Sequence, residues 1–483
     1  MIRVAGSRVS RNGADMEVQW WSILPFVTML LCIALAPLIP ALAHHWERQR
    51  VQLLVALVLG VPVALWFIVG GDTSAVVHAL IEYAQFITLL LALFVVSGGI
   101  FLKGDIEASP RNNTLFLAFG GVIASFIGTT GAAMLLIRPL LNTNHQRKYR
   151  VHTVIFAIFI VANCGGLLTP LGDPPLFLGM LRGVPFTWTF GLWPMWLFVN
   201  LLLLATYYAL DCKYHAMERP EALRLDRSNV TSLGVKGLVN FAYLAVIVGA
   251  VALAPSIDIH AIEEGHAAFM DWLPLREIIM LSVAAISYLT GDKVARFVDN
   301  NFKWGPILEV AAIFIGIFLT MIPALKYLAQ VAPNLPLNEV TFFVFTGGLS
   351  AMLDNAPTYV TFFEMARELG GDPQVAGIYE PYLVAISLGA VFCGAITYIG
   401  NGPNFMVKAV ADGAGVRMPT FGAYVLQAFT YLVPVLVAMV LIFIADPMWA
   451  HIVGWLIAAA ILVRAVLAAR THVHPVKAAD AQR

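Results

Sequence analysis

The stretch ANCGGLLTPLGDPPLFLGM, residues 162–180, lies inside a long apolar run and cannot form a continuous helix. Gly165, Gly166, Pro170, Gly172, Pro174 and Pro175 crowd its centre. Each proline removes a backbone donor, and each glycine favours the unfolded chain. Irregular backbone at membrane depth survives only where it is buried in protein or lines a polar cavity, and its freed carbonyls are ready cation ligands. Asp173 sits in the middle of the break. An intramembrane carboxylate costs at least about 2.5 kcal/mol on insertion scales, so a ligand-binding or proton-carrying role is its default reading. The competing reading is a helix cap that satisfies backbone donors.

Working outward, a second break appears at CGAITYIGNGPNF, residues 393–405. Thr169, Gly172, Pro175 and Phe177 superpose on Thr397, Gly400, Pro403 and Phe405, and Asn401 takes the place of Asp173. Nearly the same offset matches Glu82 in IEYAQFITLLL with Glu309 in LEVAAIFIGIF, and Gly120-Gly121 with Gly347-Gly348. This is an internal repeat. An odd number of crossings between the copies inverts the second, and paired broken helices in inverted repeats are the organisation expected of a secondary transporter with its site near the midplane.

Composition agrees. Of 483 residues, 60% are hydrophobic and 12% charged, against about 25% charged in soluble proteins. Mean hydropathy is +0.81, which rules out a soluble globular enzyme. Twenty-nine basic and 29 acidic residues cancel, so no global field argues for a nucleic-acid partner. Cys32, Cys164, Cys212 and Cys393 form no C-x-x-C pair and read as small apolar residues. No G-x-S-x-G, H-E-x-x-H or P-loop motif is present.

The expected fold is an all-α polytopic membrane protein with about 11 spanning helices. Two further segments, near 114–137 and 339–364, carry central Gly, Thr or Pro and read as re-entrant hairpins. Loop charge tests this, because cytoplasmic loops are rich in Lys and Arg. With the first hairpin non-spanning, Arg111 and Arg147 share the basic side, and the later loops fall where their charge predicts. The C-terminus is then cytoplasmic, in a cell inner membrane. The exception is Arg3, Arg8 and Arg11, which would lie outside; a start at Met16 instead of Met1 would remove the conflict. The chain divides into N-terminal helices (1–80), repeat 1 (81–210), connecting helices (211–304), repeat 2 (305–445) and a C-terminal helix with tail (446–483).

Besides Asp173, the second hairpin offers Asp354 in LSAMLDNAPTYV, with Asn355 and Thr358 as neutral neighbours. Asp-Asn before proline is also a turn signal, but the apolar setting weakens that discount. Thr169, Thr397, Asn401 and Asn404 add neutral oxygens suited to a hard cation such as sodium. Asn163, Thr129, Thr130 and Glu309 are further candidates, whereas Glu82 at a helix start also complements the dipole. Asp173 and Asp354 are the expected sodium ligands.

NCGGLLTPLGDPPLFLG, GTTGAAMLLIRPLL and LSAMLDNAPTYV resemble the NhaD-type sodium/proton antiporters of the ArsB/NhaD, citrate-transporter-like superfamily. The resemblance covers roughly residues 80–445. It implies two hairpins facing two unwound helices, a homodimer in the lipid bilayer, and exchange of internal sodium or lithium for external protons with no cofactor. It carries over Asp173, Thr169, Asp354 and Asn355. One departure is Pro174-Pro175 after Gly172-Asp173, where many of these antiporters have polar residues. The alternative is a sodium- or proton-coupled carrier of a small anion such as citrate, a dicarboxylate or arsenite. Anions favour helix N-termini and Arg/Lys over aspartates, and the nearby cations Arg138 and Lys408 lie toward segment ends. An intramembrane aspartyl protease also needs two aspartates, but Asp173 follows Pro-Leu-Gly, not the G-x-G of G-x-G-D.

Overall fold

The computed structural model describes residues 18–480 except 37, 38, 40, 41, 43, 44, 47, 258–261 and 263–265. The N-terminal arginines and both candidate starts lie outside the described residues. The chain is an all-α polytopic membrane protein. By length and composition, five helices can cross a bilayer unaided: Gln49–Val69, Thr73–Ser97, Phe186–Ala216, Gly305–Asn334 and Met448–Arg470. The bent pair Phe421–Tyr431 and Val433–Phe443 makes a sixth span if taken as one. The other apolar segments form shorter helices or helices interrupted where the sequence breaks.

The two repeats share the order helix, hairpin, helix, 3-10 turn, helix. After α1 (Leu24–Leu35) and α2 (Gln49–Val69), the first runs through α3 (Thr73–Ser97), a strand β1 (Phe101–Asp105), and the hairpin α4 (Pro110–Ile127) and α5 (Thr129–Thr143). It continues with α6 (Val151–Ile160), a 3-10 turn at Cys164–Leu167, α7 (Pro174–Leu181) and α8 (Trp193–Ala216). The connecting region holds α9 (Pro220–Ser228), β2 (Thr231–Lys236), α10 (Val239–Leu253) and α11 (Leu275–Thr290). β2 pairs antiparallel with β1, Phe101 opposite Lys236.

The second repeat is α12 (Gly305–Val331), the hairpin α13 (Glu339–Met352) and α14 (Asn355–Arg367), and, after a short β-turn ribbon, α15 (Glu380–Cys393). A 3-10 turn at Gly394–Ile396, α16 (Gly402–Gly413), α17 (Phe421–Tyr431) and α18 (Val433–Phe443) complete it, and α19 (Met448–Asp480) follows.

Each hairpin reverses where its sequence has no helix-forming choice. Gly128, at φ +81°, caps α5 in a conformation that a side chain resists. Asp354 caps α14 through its carboxylate, which accepts from Ala356 N at 3.0 Å. The feet of the first hairpin meet: Asn113 Nδ2 donates to Asn144 Oδ1 at 2.9 Å, and Asn144 Nδ2 to Asn113 Oδ1 at 3.0 Å. Residues 111 and 148 therefore belong to one end of the molecule. Cysteines placed at Arg111 and Lys148, both exposed, are expected to react with an impermeant thiol reagent from the same membrane face. Labelling from opposite faces would refute the re-entrant reading.

Each break requires glycine on both sides of its loop. A Cβ on Gly172 would run into the Gly166 carbonyl. Its counterpart on Gly400 would lie 2.6 Å from the Gly394 and Ser350 oxygens. The repeats also pack reciprocally: α5 of the first hairpin rests on α16, and α14 of the second rests on α7. Each hairpin thus meets the helix that follows the other repeat's break, so both tips and both breaks converge.

Candidate ion-binding site

Asp173 stands at that convergence, 1% exposed. It immediately precedes α7, where Pro174 and Pro175 have no N–H to spare, so its side chain caps no backbone donor there. Instead, three neutral groups from three other elements donate to it. Thr129 Oγ1, at the tip of the first hairpin, reaches Oδ1 at 2.8 Å. Asn401 Nδ2, from the second break, reaches Oδ1 at 3.1 Å. Asn355 Nδ2, at the tip of the second hairpin, reaches Oδ2 at 2.5 Å. None of these partners is a cation, so the carboxylate is held by dipoles alone.

Asn355 is fully buried, and its Oδ1 has no hydrogen-bond partner. A buried acceptor without a donor costs about 1–3 kcal/mol. Behind this layer, Asn163 Oδ1 accepts from Asn401 Nδ2 at 3.1 Å, while its own amide donates to Asn404 Oδ1 at 2.7 Å. Asn404 Nδ2 in turn donates to the Gly394 and Thr397 carbonyls. These bonds fix which way the amides of Asn163, Asn401 and Asn404 face.

The remaining sequence candidates are placed as follows. Thr169 Oγ1 donates to the Ser125 carbonyl, and Thr397 Oγ1 to the Ala351 carbonyl at 2.5 Å. Each hydroxyl ties a break to the neighbouring hairpin. Thr397 also accepts from the Ile399 and Gly400 N–H groups, which occupies both its lone pairs. Asp354 is half-buried and caps α14, and Thr358 Oγ1 donates back to its carbonyl at 3.0 Å. No hydrogen bond joins Asp354 to Asp173 or its donors among the described residues. Glu309 accepts from Gln52 Nε2 at 2.8 Å at the start of α12, away from the carboxylate. Glu82 pairs with Arg182 at 2.7 Å. The structure thus gathers Asp173, Asn355, Asn401, Thr129 and Asn163, and leaves Asp354, Thr358 and Glu309 outside the hydrogen-bonded shell.

A cavity of about 90 Å³ touches Asp173, Thr129, Thr130 and Gly128 against Phe86–Phe94 of α3. That is room for several waters. Through Thr130, Gly131, Pro306 and Met406 it adjoins a chamber of about 270 Å³ that also has Arg138, Asn300, Asn301 and Lys303 in its wall. The cavity beside Asp173 therefore continues toward the end carrying the basic loops.

Two arrangements were not foreseen from the sequence. Asp211 of α8 sits in a fully buried network: Arg147 Nη2 at 2.5 Å, His152 Nε2 at 2.8 Å and Asn113 Nδ2 at 3.1 Å. Arg182, beyond the end of α7, joins Glu82 and Glu364. The only sequence signal for Arg182 is that it is the lone basic residue of the loop between α7 and α8.

Residues 15–444 match the family described as "Putative citrate transport". An uncharacterized transporter of Mycobacterium bovis is 23% identical over 363 residues, which cover 68% of this chain and 78% of that protein. An uncharacterized transporter of Mycobacterium tuberculosis matches to the same extent. A 46 kDa membrane protein of Mycobacterium leprae is 24% identical over 321 residues, covering 64% and 71% respectively. The family match agrees with the citrate-transporter-like superfamily suggested by the motifs, and it runs through both hairpins and both breaks. By a match that spans residues 15–444, the chain belongs to this family of membrane transporters described as "Putative citrate transport".

Proposed function

We propose that the protein is a secondary active antiporter that exchanges cytoplasmic sodium or lithium for external protons at Asp173, with its basic loops and C-terminus in the cytoplasm. The observation that carries this reading is the buried carboxylate with no cationic partner among the described residues, beside the orphaned Asn355 oxygen. A site of one carboxylate and neutral amide and hydroxyl oxygens matches the preference of a hard cation. A half-turn of the Asn355 amide exchanges its donor for its oxygen, which would turn the group from holding a bare carboxylate to ligating a cation. The carboxylate holds either sodium or a proton, so loading one displaces the other, and alternating access makes the exchange directional. The expected inner-membrane location and homodimer belong to this proposal.

Competition has a measurable consequence. Where one proton and one sodium ion compete for one carboxylate, apparent sodium affinity levels off above the pKa of the sodium-free carboxylate and falls about tenfold per pH unit below it. Calorimetric titration of the purified protein with sodium between mildly acidic and alkaline pH tests this. A flat profile would remove the coupling step.

A second reading rests on a different observation: Arg138 and Lys303, with Asn300 and Asn301, line the chamber next to the site. Those groups suit a small carboxylate, and the family description points the same way. In that arrangement Asp173 binds the coupling ion while the anion occupies the chamber. Sodium-dependent uptake of labelled citrate into proteoliposomes, lost in Arg138→Ala, would favour it over antiport.

A further inference from the structure

Two pairs of helices lead away from Asp173 in opposite directions. Toward the basic loops, α5 carries Arg138 about nine residues beyond Thr129, and α16 carries Val410 about nine residues beyond Asn401, some 13 Å at 1.5 Å per residue. Toward the other face, α7 ends beside Arg182, and α14 carries Glu364 about nine residues beyond Asn355. The site is therefore midway between two equivalent ends of the inverted repeats.

The two ends differ. At the basic end a cleft of about 620 Å³, lined by Arg138, Arg150, Val410 and Gly413, opens at the surface beside α5 and α16. At the opposite end Arg182 draws three elements together. Its Nη2 lies 2.7 Å from Glu82 on α3 and its Nε 3.2 Å from Glu364 on α14, while Nη1 donates to the Leu178 carbonyl at 3.4 Å. The Arg182 side chain is 8% exposed, and the two carboxylates 18% and 24%. The wall of the Asp173 cavity on α3 begins at Phe86, one turn beyond Glu82, so the ion pairs lie just past the cavity's far end.

We propose that Arg182, Glu82 and Glu364 form an ionic latch that closes the path from Asp173 to the face opposite the basic loops, and that it opens in the state that admits ions from that face. The guanidinium fork satisfies two carboxylates on separate elements at once, a geometry that a shift of either helix breaks. Without Arg182 the two acids repel, which favours the parted arrangement. Arg367, whose Nη1 is 3.7 Å from Glu364, is placed to hold that carboxylate once Arg182 leaves. Among the described residues no ion pair joins α5 to α16 at the basic end, where Arg138 and the apolar Val410 line the same cleft.

The test is sided accessibility. Leu90→Cys, on the cavity wall, is introduced into a background lacking the four native cysteines and labelled with an impermeant thiol reagent in intact cells and in everted vesicles. With the latch intact, reaction is expected from the side of the basic loops. Arg182→Ala and Glu82→Gln are each expected to speed labelling from the opposite side roughly tenfold, with Arg182→Lys in between. Should Arg182→Ala fail to insert, Glu82→Gln decides, since it removes only one charge from a partly exposed side chain. Unchanged labelling from the opposite side overturns the latch. The assay follows access and not exchange, so its outcome is independent of whether sodium is the cargo.

Discussion

Asp173→Asn is expected to reduce sodium-dependent proton exchange to the background of vesicles without the protein, while the chain still inserts. Dye-based proton exchange in everted vesicles, with sodium, lithium and potassium added in turn, measures it. A carboxamide still offers one oxygen, but it has neither the charge that offsets sodium dehydration nor a proton to exchange. Thr129, Asn355 and Asn401 all donate to the native carboxylate, so the substituted amide would also turn an N–H₂ toward donors. Asp354 is a control with a ranked outcome. Sequence alone names both acids as sodium ligands, whereas the geometry makes Asp354 an N-cap, a role that Asn fills about as well. Asp354→Asn is therefore expected to cost less activity than Asp173→Asn. Wild-type exchange in Asp173→Asn would reduce that residue to a structural role, and a greater loss in Asp354→Asn would move the site to the second hairpin.

The parts of this site that can be read from the sequence are those set by local backbone chemistry. Gly165, Gly166, Gly172 and the prolines forbid a helix wherever they occur, and the match of Thr169 with Thr397 shows the same break twice. The central Gly-Thr-Thr-Gly and Asp-Asn-Ala-Pro turns mark the hairpins for the same reason. Partnerships across the fold were not legible. Asn355 and Asp173 are 182 positions apart, and nothing in either neighbourhood states that a hairpin of one repeat will meet the break of the other. The role of Thr397 was equally hidden: a hydroxyl in a polar break reads as a ligand until its lone pairs are seen to be taken by Ile399 and Gly400. Asp211 escaped notice because it lies one residue past an apolar run, where an acid reads as a loop residue.

That acid carries the last expectation. Asp211→Ala is expected to destabilise the protein by about 3–5 kcal/mol, the cost of leaving a buried charge without its partner. Arg147 and Asp211 are both fully buried in their side chains. The same carboxylate accepts from His152 on α6 and Asn113 at the foot of α4, so its loss takes a partner from three groups at once and leaves Arg147 with Glu218, 3.8 Å away, as its one remaining carboxylate neighbour among the described residues. The double variant Arg147→Met with Asp211→Leu is expected to recover much of the loss, because replacing a buried pair by apolar side chains removes the desolvation cost along with the attraction. Thermal unfolding of the purified protein in detergent compares the three. A single variant as stable as the wild type would mean that the network adds nothing beyond packing. The consequence reaches the ion site, because Asn113, Asn144 and Arg147 hold the feet of the hairpin whose tip presents Thr129 to Asp173. Sodium affinity in Asp211→Ala should therefore fall at temperatures where the protein is still folded, since a hairpin loosened at its base places its tip less well.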